Sequence, residues 1–206
     1  MPNEHSFSPD DLLVLSDREF FHKKYLISQK IKDNLERLQQ RLQDELQPHS
    51  LLAPDGFDPQ AVQFVKGEHL EHFPYQYLDF PRHYTRHSKL AFRSLFWWGH
   101  HVVFALIVEG PFVPHYRRNF FNRFSLVADR NLSLSLSPSL WEWKAGPGLT
   151  LEITHDRRSE LAAVLERRTS FKIARYIPYQ DQIFFTGEII EEGVRTLRSL
   201  LPVITP

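Results

Sequence analysis

The sequence predicts an α+β fold: a mainly antiparallel sheet with long N- and C-terminal helices packed on it. Three features carry that expectation. Apolar residues recur at helical spacing near both ends of the chain, two consecutive strand patterns meet at a tight glycine turn, and the element order never becomes a regular βαβ repeat. The 206 residues are read as one domain, 1–206, with 1–47 a helical N-terminal segment.

Taken in order, Ser8-Pro9-Asp10-Asp11 opens a short helix with proline at its first position. Ser16-Asp17-Arg18-Glu19 then fits a capping box, the serine accepting from the third backbone N–H and the glutamate reaching back. Behind it Ile27, Ile31, Leu35, Leu38 and Leu42 recur on one face until Pro48. A helix is therefore expected from Asp17 to Leu46, about 45 Å long at 1.5 Å per residue. Pro48 to Pro59 is a loop. The aromatic run FPYQYLDFPRHY, Phe73 to Tyr84, contains Pro74 and Pro81, which confine it to a short or edge strand. Lys89 to Trp98 and His101 to Glu109 read as a hairpin through Gly99-His100.

Pro114 to Val127 carries Tyr116, Phe120, Phe121, Phe124 and Val127 at helical spacing. Leu132, Leu134 and Leu136 alternate with serines as a strand with one buried face, and Leu149 to Thr154 alternates again. Asp156 or Ser159 caps a helix running to about Arg168, while Phe171 to Ile177 fits strand or helix equally. Ile183, Gly187, Ile190, Val194, Leu197 and Leu201 define a last helix, Gln180 to Leu201, stopped by Pro202, with Gly187 allowing close approach in its seam. A helix as long as Asp17 to Leu46 overshoots a domain of this size, so a homodimer with that helix in the interface is expected.

Composition narrows the function classes. The 25 basic and 25 acidic side chains give no overall field toward nucleic acid or an anionic membrane, so nucleic acid is not the expected partner. With no cysteine, disulfides, thiolate metal sites and cysteine nucleophiles are excluded, a composition suited to a reducing cytoplasm. The opening MPNEHSFSPDD lacks a secretory n-region and h-region, and the most apolar stretch, Leu95 to Val108, is shorter than the roughly 20 residues of a membrane span. A cytoplasmic protein without a membrane partner is expected.

Pro74-Tyr75, Leu78-Asp79-Phe80-Pro81-Arg82, Phe92-Arg93 and Phe96-Trp97-Trp98-Gly99 form a distinctive series. It resembles the core pattern of an uncharacterised family of bacterial hypothetical proteins, firmly from Pro74 to Gly99 and in element order elsewhere. The resemblance implies kinship and a bacterial origin; it supplies no mechanism and no catalytic residue.

From Pro81 to Arg130 eight bases face two acids, interleaved with many aromatic side chains, a mixture used for stacking on bases or enclosing acidic ligands. The first 80 residues carry 14 acids against eight bases, so internal compensation is the plainer reading. Asp79 is a candidate buried carboxylate paired with Arg82 or Arg93. Six of the 11 histidines lie between His69 and His101, but the nearby prolines argue against helical ligand spacing and no HExxH occurs, so no metal is expected. GxSxG, GxGxxG and GxxxxGK[ST] are also missing, and no cofactor is expected.

Two function classes follow. The first is a non-catalytic binding or interaction protein whose Arg/aromatic surface takes a small anionic ligand or partner through Asp79, Arg82, Arg93, Trp97, Trp98 and His100. The second is an enzyme, a hydrolase for instance, working in a cleft around Asp79, Arg82 and Arg93.

Overall fold

Residues 6–206 are described by a computed structural model, in which seven strands form one sheet and α-helices cover one of its faces. Met1 to His5 of the 1–47 segment lie outside the described residues. The chain opens with α1 (Pro9–Ser16) and α2 (Arg18–Leu46), then runs through β1 (Gln63–Leu70), β2 (Phe73–Tyr84), β3 (Lys89–Trp97) and β4 (His101–Glu109) as successive antiparallel neighbours. Helices α3 (Val113–Asn122) and α4 (Phe124–Val127) follow, then the short strands β5 (Ser133–Ser135) and β6 (Thr150–Glu152). A 3₁₀ turn (His155–Arg157) leads into α5 (Arg158–Leu165), β7 (Ser170–Pro178), α6 (Ile183–Thr186) and α7 (Ile189–Ile204). The sheet order is β1-β2-β3-β4-β7-β5-β6, with every pairing antiparallel.

The period-2 alternation of the strands explains the two layers. Phe92 and Phe96 on β3 and Val102, Phe104, Leu106 and Val108 on β4 point toward α2, α3, α4 and α7 and join their apolar seams in the main core. Leu95, Trp97, Val103, Ala105 and Ile107 point the other way and form a smaller cluster with Leu140 and Trp143. Between α2 and α7 the close approach rests on Gly193, where a Cβ would come within 2.9 Å of Leu38 and Phe104. Glu45–Arg198 and Arg41–Glu191 ion pairs flank that seam.

Several expectations need correction. The capping box lies at Ser8 and Asp11 on α1, whereas α2 is capped by Asp17, which accepts from the Phe20 N–H at 2.8 Å. The edge strand is β1, which the alternation in Gln63–Leu70 announces only weakly. Phe73–Tyr84 lies one strand inward and is 12 residues long. It tolerates Pro81 because the register shifts between Asp79 and Arg82, where the ladder does not call on that nitrogen. The ambiguous segment becomes β7, inserted between β4 and β5. The last helix is broken at Gly187 (φ +75°), which ends α6 in the left-handed region, and α7 runs on through Pro202. The glycine that permits helix contact is thus Gly193 rather than Gly187.

The Ile31, Leu35, Leu38 and Leu42 stripe is buried within the chain; Ile27, one turn earlier, is exposed. The basic segment is compensated differently from expectation as well. Among the described residues Arg93 alone of its bases pairs with an acid of the first 80 residues, while Arg117 and Arg123 donate to backbone carbonyls closing α5 and α7. Among the described residues no helix is long and apolar enough to cross a membrane.

Candidate functional site

Asp79 on β2 and Arg93 on β3 are register partners, so both side chains leave the sheet on the face away from the helices. Arg93 donates from Nε to Oδ1 at 2.7 Å and from Nη2 to Oδ2 at 2.6 Å, and the Tyr84 hydroxyl donates to Oδ2 at 3.0 Å. Asp79 has no exposed surface, and Arg93 keeps 7%. Burial opposes the Arg93 charge, yet the bonds to Asp79 outweigh it and hold the guanidinium above its ordinary range. Burial and then the Asp79 carboxylate push the Tyr84 hydroxyl well up, which keeps it a donor. Nη1 takes no part in the Asp79 pair.

The same guanidinium stands 3.7 Å from the Tyr77 ring centroid, with Trp141 and Trp143 at 5.1 and 5.3 Å. Both tryptophans come from the irregular segment 136–149, which crosses this face as a strap. Three cationic or N–H-bearing side chains bind its carbonyls from below. Arg168 donates to Leu136 and to Ser137 at 3.3 Å, Lys172 to Leu140 at 3.1 Å and to Glu142, and His101 Nε2 to Trp143 at 2.9 Å. A Lys144–Glu71 ion pair ties the far end of the strap to the β1–β2 turn.

Lys172 is wholly buried, its Nζ 4.0 Å from the Trp143 ring centroid. Burial pushes its ammonium down to about 7, with Glu142 pulling the other way. His101 is also lowered by burial, partly offset by its bond to the Trp143 carbonyl.

Between strap and sheet lies a slot of about 320 Å³ lined by Leu70, Tyr75, Tyr77, Arg93, Leu95, Trp141 and Trp143. The rings of Tyr75 and Tyr77 are parallel within 9° and 6.1 Å apart. Tyr75 can lie where it does because β1 has glycine beneath it: a Cβ on Gly67 would come within 2.5 Å of the ring. The slot thus offers flat aromatic walls and one cationic group that is already partnered.

The six residues expected from sequence separate into four places. Asp79 and Arg93 are together, Arg93 in the slot and Asp79 behind it. Arg82 lies past the bulge with its guanidinium 5.3 Å from the Tyr84 ring and does not line the slot. Trp97 shares the face but sits beyond Leu95, donating from Nε1 to the Leu70 carbonyl at 3.0 Å and stacking on His100 at 3.7 Å. These two shape the slot's Leu70 end without lining it. Trp98 packs on the helix-side core.

Tyr75, Tyr77, Trp141, Trp143 and Lys172 were not among the candidates. The two tyrosines alternate with Asp79 at period 2 and were legible as its face-mates. The strap tryptophans sit in a segment with no periodicity to place them. Among the described residues no three His, Asp or Glu side chains converge as metal ligands. His69, His72 and His87 are exposed, while His83 meets the Ser88 hydroxyl at 3.1 Å.

No family model matches the chain, and no curated protein or solved structure does.

Proposed function

We propose that this is a non-catalytic binding protein whose slot takes a small flat ligand bearing an anionic group. The observation that carries the reading is a slot with four aromatic side chains in its walls, three of them set against the Arg93 guanidinium, whose Nη1 lies outside the Asp79 pair. A volume of about 320 Å³ stands at the small end of ligand pockets, which run from roughly 300 to 1,000 Å³. Because Asp79 already neutralises Arg93, ring stacking supplies most of the affinity and the charge-assisted bond supplies orientation. The hydrolase alternative is disfavoured by the same geometry. A fully buried carboxylate held by Arg93 and Tyr84 has no free oxygen with which to reach a substrate proton.

The zero net charge argues against nucleic acid as the partner, and the cysteine-free composition supports a cytoplasmic location. Saturation-transfer NMR with benzoate, neutral benzamide and the non-aromatic cyclohexanecarboxylate tests the reading. Benzoate should give a saturable signal, the other two weaker ones, and Trp141→Ala should abolish it. Equal signals from all three, no saturable binding, or an unaffected Trp141→Ala variant would refute it.

A further inference from the structure

Residues 6–27, all of α1 and the first ten residues of α2, form an arm with no buried residue, tied to the domain by a Lys24–Glu68 ion pair at 2.6 Å. Leu12, Leu13, Val14 and Leu15 follow one another around α1, so that helix is apolar on several sides, a pattern that belongs to buried helices. Phe20, Phe21, Tyr25 and Leu26 continue the surface along α2. These side chains and Ile27 are 44–69% exposed. At about 200 Å² for a large side chain, the arm leaves on the order of 900 Å² of such surface in water. One partner of a standard interface contributes about 800 Å².

Directly beyond the arm, between α2 and the edge strand β1, runs an apolar groove of about 310 Å³ with Leu35, Phe64, Val65 and Tyr77 in its walls. Two polar features mark it as a seat. Gln76, 5% exposed, donates from Nε2 to the Ser28 carbonyl at 3.1 Å, but its Oε1 is buried in the groove lining with no partner. Lys32, Glu36 and Lys66 lie on the rim. Lys32 is paired with Glu36 at 3.5 Å, and no acid pairs with Lys66 among the described residues. The arm itself is close to neutral, with Asp10, Asp11, Asp17 and Glu19 against Arg18, Lys23 and Lys24, so its apolar surface rather than its charge is what it offers.

We propose that two copies of this chain exchange arms, each arm seating in the α2–β1 groove of the other. The donor surface and the acceptor groove adjoin on one helix, so a two-fold axis across α2 near Ile27 and Ser28 runs the two helices antiparallel and fills both seats at once, as an isologous interface requires. Arm residues Phe20 and Phe21 then face the partner groove, and the Tyr25 hydroxyl is a donor within the apolar surface for an acceptor such as Gln76 Oε1. The buried stripe from Ile31 to Leu42 stays inside each protomer.

Light scattering behind a sizing column tests this on the full chain, from micromolar to hundreds of micromolar loading. The expected mass is twice 24.4 kDa. Leu13→Glu with Phe21→Glu should give the monomer mass, with association weakened at least about a hundredfold and a melting temperature that no longer depends on protein concentration. Leu13→Ser with Leu15→Ser serves if the glutamates unfold the arm. Phe64→Glu, which blocks the groove, should also give monomers. Mixing the arm variant with the groove variant restores one intact seat, so the mixture should exceed the mass of either alone. A mass of 24.4 kDa for the unaltered chain at every loading, a dimer that survives the arm substitutions, or a mixture that stays monomeric overturns the proposal.

Discussion

Removing either member of the Asp79–Arg93 pair should cost far more than removing both. With Asp79 fully buried and Arg93 at 7% exposure, Asp79→Ala strands a guanidinium that has lost both charge-assisted bonds, a loss of about 3–5 kcal/mol for a broken buried pair. Tyr77 at 3.7 Å and the two strap tryptophans soften that loss, each ring contact being worth about 0.5–2 kcal/mol, so the lower end is expected. Arg93→Ala leaves a carboxylate with only the Tyr84 hydroxyl and strips the rings of their cation, so it should lie at the upper end or beyond. The double variant Asp79→Ala/Arg93→Ala leaves no charge behind, and a coupling of at least about 2 kcal/mol should emerge from the cycle. Urea unfolding followed by far-UV circular dichroism gives the four free energies. If Arg93→Ala fails to fold, Arg93→Lys replaces it, since a lysine keeps the charge but not the two-point geometry. Additivity within about 0.5 kcal/mol would mean the pair is not the buried unit described.

Lys172 gives a pH signature. Its ammonium is lowered from 10.5 to about 7, so below pH 7 folded and unfolded chains are both protonated and the cost of burying the charge is fully present. Between pH 7 and 10.5 only the unfolded chain holds the proton, and stability rises with pH by about 1.4 kcal/mol per unit, toward a total of about 5 kcal/mol. Lys172→Met should remove that rise, and urea titrations at several pH values that keep the same slope in the variant would count against it. Gly193→Ala should destabilise by about 1–3 kcal/mol, because overpacking against Leu38 and Phe104 outweighs the roughly 1 kcal/mol of helix propensity gained; a higher melting temperature would show that the seam yields. Trp141→Ala, at a side chain 46% exposed, should cost no more than its ring contact with Arg93, about 0.5–2 kcal/mol, while removing the benzoate signal, which thermal shift and NMR read separately.

Local rules determined a good deal of this protein. The cap signal at Ser16–Glu19, the apolar spacing from Ile27 to Leu42 and Pro48 together defined the long helix to within a residue of its observed ends, and Gly99 placed the β3–β4 turn because its φ of +73° suits a residue without a side chain. Asp79 was legible as a buried carboxylate paired with Arg82 or Arg93, an acid among aromatic residues close to two arginines. Tertiary structure decided the rest. Whether Arg82 or Arg93 met Asp79 depended on cross-strand register, which a bulge at Pro81 set and no single strand encodes. Residues 171–177 became a strand because β4 and β5 offered open edges on either side, a condition outside the segment itself. Trp141 and Trp143 reached Arg93 because Arg168, Lys172 and His101 hold an irregular segment by its carbonyls, and such a segment has no period to read. Periodicity reports which face of an element seeks burial; which partner supplies that burial is settled only when distant segments compete for it.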